Sequence, residues 1–101
     1  MRYDKLVRDK IPAIIERGGQ KAVTRILEEG EYFHHLEAKL DEEVAEFHRD
    51  KNAEELADIL EVVYALADSI GCDRKTLLDT YEKKHQSRGG FADRVFLMET
   101  E

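Results

Sequence analysis

Residues 42–58 read EEVAEFHRDKNAEELAD and place seven acidic side chains in seventeen positions. They stand beside Val44, Phe47 and Leu56, whose apolar surface should face a core. Upstream, from Glu31 to about Arg49, the apolar residues Phe33, Leu36, Leu40, Val44 and Phe47 recur at steps of three and four, the spacing of an amphipathic helix. Asp50-Lys51-Asn52 breaks the pattern. Asn52 followed by Glu55 matches a capping box, which predicts a second helix running to about Ile70 and closed by Gly71. Asp73 is then a candidate N-cap, and Leu77, Leu78 and Tyr81 predict a third helix ending near His85, before Gly89-Gly90. At the N-terminal end Tyr3, Leu6 and Val7 are short and mixed. Pro12, among Ile11, Ile14 and Ile15, suits the first turn of a short helix stopped by Gly18-Gly19. The tail FADRVFLMETE fits no single period. The expectation is an all-α fold in one domain over residues 1–101, an antiparallel helical hairpin plus a third helix.

At about 100° per residue, Leu36, Leu40, Val44 and Phe47 share one face of the first long helix, and Glu43 and Glu46 lie along its flank. On the second helix Leu56, Ile59, Leu60, Val63 and Ala67 form the expected seam. Glu55 flanks it, Asp58 sits about 60° further round, and Val62 lies near that acidic side. A turn centred between Asp50 and Lys51 sets Glu46 opposite Glu55 and Glu43 opposite Asp58. Carboxylates at i and i+3 stand about 5–6 Å apart on one helix, so four acids occupy the corners of a small square. Two carboxylates at that spacing repel by roughly 3 kcal/mol at an effective dielectric near 20. Several such pairs would consume much of a small domain's stability, and a cation should fill the square. Each acid taken singly also suits an ordinary surface helix, and Glu55 suits the capping box; the matched spacing across the turn is what singles out the four.

Hard oxygen donors without cysteine favour Mg²⁺, or Mn²⁺, over zinc. Mg²⁺ combines a few carboxylates with water and phosphate oxygens, which points to hydrolysis of a phosphate ester or anhydride. Glu42 and Glu61 are outer candidates, whereas Glu54, Asp41 and Asp50 read as solvated.

Composition narrows the partners. Charged residues make up 39% of the 101 and the net charge is −7, a poor match for nucleic acid or an anionic membrane surface, which are bound by clustered Lys and Arg. The single cysteine, Cys72, has no internal partner, so packing must hold the fold. No apolar run reaches the roughly 18 residues of a bilayer span, and MRYDKLVRDKIP lacks a signal-peptide core. A cytoplasmic location is expected.

Glu43-Val44-Ala45-Glu46 and Glu55-Leu56-Ala57-Asp58 resemble the paired E-x-x-E and E-x-x-D motifs of the all-α nucleoside triphosphate pyrophosphatase superfamily, which includes MazG-like proteins and phosphoribosyl-ATP pyrophosphatase. YDKLVRDKIPAII and KKHQSRGGF are similar to the opening and closing motifs of a small subgroup, so the likeness spans most of the chain. The resemblance implies Mg²⁺-dependent hydrolysis between the α- and β-phosphates of a nucleotide, giving a monophosphate and pyrophosphate. Glu43, Glu46, Glu55 and Asp58 would hold the metal, and Glu43 or Glu42 would orient or deprotonate the attacking water. A triphosphate needs further positive charge. Lys5, Arg8 and Lys10 at one end and Lys83, Lys84 and Arg88 at the other are candidates, Arg being suited to bidentate phosphate contacts. Lys83 and Lys84 also read as ordinary last-turn lysines, and Gly89-Gly90 as a helix stop. Tyr32, Phe33 and Phe47 are candidates for stacking on a base.

LADILEVVYALADSI is apolar over more than one stripe, which in so short a chain predicts that a second subunit covers it. A homodimer or homotetramer with a four-helix-bundle-like core between subunits is expected. Two rivals stand beside the hydrolase. Glu31-x-x-His34 and Glu82-x-x-His85 match the Glu-x-x-His motif of di-iron carboxylate bundles, although Glu31 lies about 18 Å along the helix from Glu43. A non-catalytic helical interaction module is the other, with Val62, Val63 and Tyr64 as its partner surface.

Overall fold

A computed structural model describes residues 1–101 and contains four helices and no strand. They are α1 (Ile11–Arg17), α2 (Glu29–Asp50), α3 (Ala53–Ser69) and α4 (Arg74–Arg88). The fold is all-α, as its periodicity predicts. None of the helices is long and apolar enough to cross a membrane.

Local chemistry sets each boundary. Pro12 occupies the first turn of α1, whose last carbonyls are met by the Gly18 N–H before Gly19 turns at φ +96°. Helix α2 starts two residues earlier than expected because Glu31 lies inside its first turn: the Glu28 N–H donates to Glu31 Oε1 at 3.3 Å. It ends at Lys51, which adopts the left-handed conformation at φ +49° and donates its N–H to Phe47 O at 2.8 Å. The next residue opens α3, with the Glu55 N–H donating to Asn52 Oδ1 at 3.0 Å. This two-residue link makes the long helices antiparallel. Gly71 ends α3 at φ +80°, and Asp73 caps α4 by accepting from the Thr76 N–H at 2.8 Å. Helix α4 continues to Arg88, one turn past the expected end at His85, before Gly89 turns at φ +79°.

Helices α2 and α3 pack along their length, and the end of α3 meets the start of α4. The core is small: Leu36, Val62, Ala67 and Glu43 are the four buried residues. Two expectations are corrected here. Leu56 and Leu60, placed on the seam by sequence, are 52% and 48% exposed, while Val62, assigned to the acidic side, is 7% exposed. Leu56 and Leu60 lie about 120° and 160° round α3 from Val62, so a single partner helix cannot cover all three. The hairpin has turned its acidic side inward and left an apolar flank outside. Helix α4 buries no residue at all, and the tail leaves Phe91, Val95, Phe96, Leu97 and Met98 exposed.

Candidate metal centre

Helix α2 supplies Glu43 and Glu46, and α3 supplies Glu55 and Asp58. One carboxylate oxygen from each lies within 4.8 Å of all the others. The i, i+3 spacing on each helix and the short Lys51–Asn52 link together make this square. Glu43 is 6% exposed and the other three are half-buried. Burial drives the Glu43 pKa above the ordinary carboxylate range; the Lys39 ammonium opposes the shift and neighbouring Glu46 reinforces it. Two oxygens, Glu43 Oε2 and Glu55 Oε2, are buried without a hydrogen-bond partner. An unpaired buried acceptor costs about 1–3 kcal/mol, and more when charged, so packing alone gives no reason to retain both. Four converging hard oxygen donors fit a divalent cation.

Tethered cations ring the square. Lys39 Nζ sits 3.2 Å from Glu42 Oε2 and 3.3 Å from Glu43 Oε1. Burial works against its charge, yet hydrogen bonds to Glu42 and Glu43 outweigh that penalty and raise its pKa. Arg8 donates from Nη2 to Asp58 Oδ1, and Lys5 Nζ lies 3.5 Å from Glu42 Oε1. Half-buried Leu6 and Val7 anchor this N-terminal segment on the hairpin. Between the segment and the helices runs an open cleft of about 400 Å³, with Glu43 and Asp58 on its wall and Tyr64 and Arg74 further along.

Lys5 and Arg8 are thus brought to the acids, whereas Lys10 is exposed at the start of α1. Lys83 and Lys84 are exposed on α4 outside the cleft, and Arg88 lines a separate hollow with Gly89 to Val95. Glu42 stands at the rim of the square, held by both lysines, and Glu61 lines the cleft. Tyr32 also lines it, while Phe33 and Phe47 are half-buried elsewhere. Sequence reasoning missed Lys39, Asp68 and Arg74. Lys39 carried a signal, standing one turn before both Glu42 and Glu43. Arg74 carried another, a cation in the first turn of a helix, where the dipole opposes it. The histidines of the two Glu-x-x-His motifs stay out of the acidic group. Glu31 is instead clamped by Arg25, with Nη2 2.8 Å from Oε2, which lowers its pKa to about 2. His85 stacks on Tyr81 at 5.8 Å between ring centroids.

The fold and site define a helical-hairpin protein with a four-carboxylate centre. A stretch of 42 residues is 55% identical to an uncharacterized protein of Mycolicibacterium smegmatis, covering 42% of this chain and 43% of that protein. The match therefore spans less than half of its relative. No family model and no solved structure matches the chain.

Proposed function

We propose that the protein is a Mg²⁺-dependent nucleoside triphosphate pyrophosphohydrolase, with Mn²⁺ able to substitute. The observation that supports it is the square of carboxylate oxygens within 4.8 Å, two of whose residues keep a buried oxygen without a partner. Glu43, Glu46, Glu55 and Asp58 would hold the cation. When bound, it neutralises phosphate charge and lowers the pKa of coordinated water. The chain's own groups do the rest. Water adds to the α-phosphorus, the bond from that phosphorus to the bridging oxygen breaks, and a nucleoside monophosphate and pyrophosphate leave. Glu43 or Glu42 takes the water's proton. Glu42 is the more accessible to solvent, with its side chain 35% exposed against 8% for Glu43, and Lys5 and Lys39 pair with it at the rim of the square. Arg8, paired with Asp58 in the free protein, lies within the cleft and has the planar fork that suits phosphate oxygens. A panel of nucleotides assayed for pyrophosphate release, with Mg²⁺ and with EDTA, tests the reading. Glu46→Gln and Asp58→Asn should abolish turnover; full activity in both variants would reject the site.

We also infer that the working unit is a homodimer or homotetramer. The chain exposes 9,252 Å², whereas a compact monomer of 11.7 kDa exposes about 5,900 Å². Its radius of gyration is 17.8 Å, against about 13 Å for a compact domain of this length. The excess area exceeds what each partner commits to an ordinary interface, about 800 Å². Light scattering on the eluted protein tests it.

A further inference from the structure

Glu43 and Asp58 of the acidic square line the cleft, and its lining further along α3 is built differently. There Tyr64 of α3 lies under the guanidinium of Arg74, whose Cζ is 3.9 Å from the ring centroid. Asp68, one turn beyond Tyr64 on the same face of α3, lines the same cleft. Every cation near the acids is paired, but Arg74 and Asp68 enter no ion pair with each other or with any other group. Arg74 is also the first residue of α4, where the helix dipole disfavours a cation. Helix stability does not explain its position. This part of the cleft therefore presents an aromatic face carrying a flat cationic fork, beside a free carboxylate.

We propose that Tyr64, Arg74 and Asp68 form a nucleobase subsite for a 6-oxo-2-aminopurine, a guanine-type base. This deepens the hydrolase reading and rests on it. A guanidinium fork matches the O6 and N7 acceptors of guanine. A carboxylate accepts from the N1–H and the 2-amino group on the adjoining edge. Adenine keeps N7 but offers a donor at position 6 and nothing at position 2, so it loses the bidentate contact with Arg74 and the N1–H and 2-amino contacts with Asp68. The contact with Tyr64 holds the guanidinium in place, so its donors stay free for the edge of a base. Spacing agrees: Tyr64 lies six residues beyond Asp58 and Asp68 ten, about 9 Å and 15 Å along the helix. With an α-phosphate beside the acids, ribose and purine extend over a comparable length toward Arg74. Tyr32 of α2 also lines the cleft.

Steady-state hydrolysis of GTP, ITP and ATP with Mg²⁺ tests the assignment, because ITP lacks only the 2-amino group. The expected kcat/KM for GTP exceeds that for ATP by about tenfold or more, the worth of one bidentate base contact. Asp68→Ala should erase the difference between GTP and ITP. Arg74→Ala removes the donors to O6 and N7, and it should narrow the preference for GTP over ATP at least several-fold. Equal turnover of the three nucleotides, or wild-type preference in both variants, overturns the subsite. A metal-free titration of the full chain with guanosine and adenosine, followed by amide chemical shifts, separates the two readings. If no triphosphate is hydrolysed but guanosine alone shifts Tyr64, Asp68 and Arg74, the hydrolase fails and the base site stands. Base-indifferent hydrolysis with no guanosine response leaves the hydrolase and removes the base site.

Discussion

Glu43 Oε2 and Glu55 Oε2, on two different helices, are both buried and both lack a hydrogen-bond partner. Their residues belong to one group of oxygens no more than 4.8 Å apart. Repulsion of about 3 kcal/mol per pair at that distance leaves the metal-free hairpin strained in charge. Mg²⁺ or Mn²⁺ at a hundred times its dissociation constant should therefore stabilise the protein by about 2.7 kcal/mol. Thermal melts with and without the cation measure this. Glu46→Gln and Asp58→Asn should melt at nearly the same temperature in both conditions, and a cation response undiminished in those variants would move the site elsewhere.

The raised Glu43 pKa gives a pH dependence with a definite sign. Folding favours its neutral form, so in EDTA its contribution is fully present below the unfolded glutamate pKa, about 4.3, and is lost as pH rises through the higher folded value. Urea unfolding of the wild type and of Glu43→Gln, compared between pH 4.5 and 7, isolates this group. The wild type should lose stability relative to the variant as pH rises, and saturating Mg²⁺ should reverse the trend. A difference that stays constant with pH in EDTA would mean that Glu43 is not held in a setting hostile to its charge.

The acids were legible in the sequence because their positions follow from local rules. Two i, i+3 pairs and an Asn52 cap fix the square once the helices are antiparallel; of the expected capping box only the Asn52 half forms, accepting from the Glu55 N–H, while the Glu55 carboxylate joins the square. What periodicity could not fix was the rotation of α3. Leu56, Leu60 and Val62 are all apolar, so a hydrophobic stripe can be drawn through any of them; contact with α2 selects Val62. The basic residues divide for the same reason. Lys5 and Arg8 reach the acids because Leu6 and Val7 dock on the hairpin. Lys83 and Lys84 follow α4, whose direction depends on Gly71 and the short turn to Asp73. Arg74 meets Tyr64 through the same turn, a contact between neighbouring helices that no spacing rule encodes.

Asn52 holds the start of α3, and with it the register of Glu55 and Asp58. Asn52→Ala removes the acceptor for the Glu55 N–H and should cost about 1 kcal/mol, the usual worth of an N-cap. Denaturant unfolding in EDTA would measure it. The cost should be larger with Mg²⁺ present, because a frayed first turn also misplaces Glu55 and Asp58, two of the proposed ligands. An equal cost in both conditions would uncouple the cap from the site.

Arg8 is exposed enough to leave Asp58 and turn toward a phosphate, its side chain being 52% exposed. Exposed ion pairs contribute at most about 1 kcal/mol, so Arg8→Ala should barely change the melting temperature. It should raise KM for a nucleoside triphosphate about tenfold, the scale of one lost charge-assisted contact. Arg8→Lys should recover part of that loss. Unchanged KM in Arg8→Ala would confine the residue to its contact with Asp58.

Leu56 and Leu60 decide whether the apolar flank of the hairpin is an interface. In a lone chain both are about half exposed, and replacing them by serine should alter stability by no more than about 0.5 kcal/mol, as at other surface sites. On the flank around them lie half-buried Val44, Phe47, Ile59 and Val63. The flank faces away from the acidic side, so a second hairpin can cover it and leave the cleft open. That arrangement gives four long helices around a shared core. Light scattering at micromolar concentration should then report at least twice the 11.7 kDa chain mass, and the melting temperature should rise with protein concentration. Leu56→Ser/Leu60→Ser should weaken association at least tenfold, since burying the exposed half of two leucines contributes about 1.5–3 kcal/mol per chain. A wild-type mass of one chain, or a doubly substituted protein that associates as tightly as wild type, would place the interface on another face or remove it.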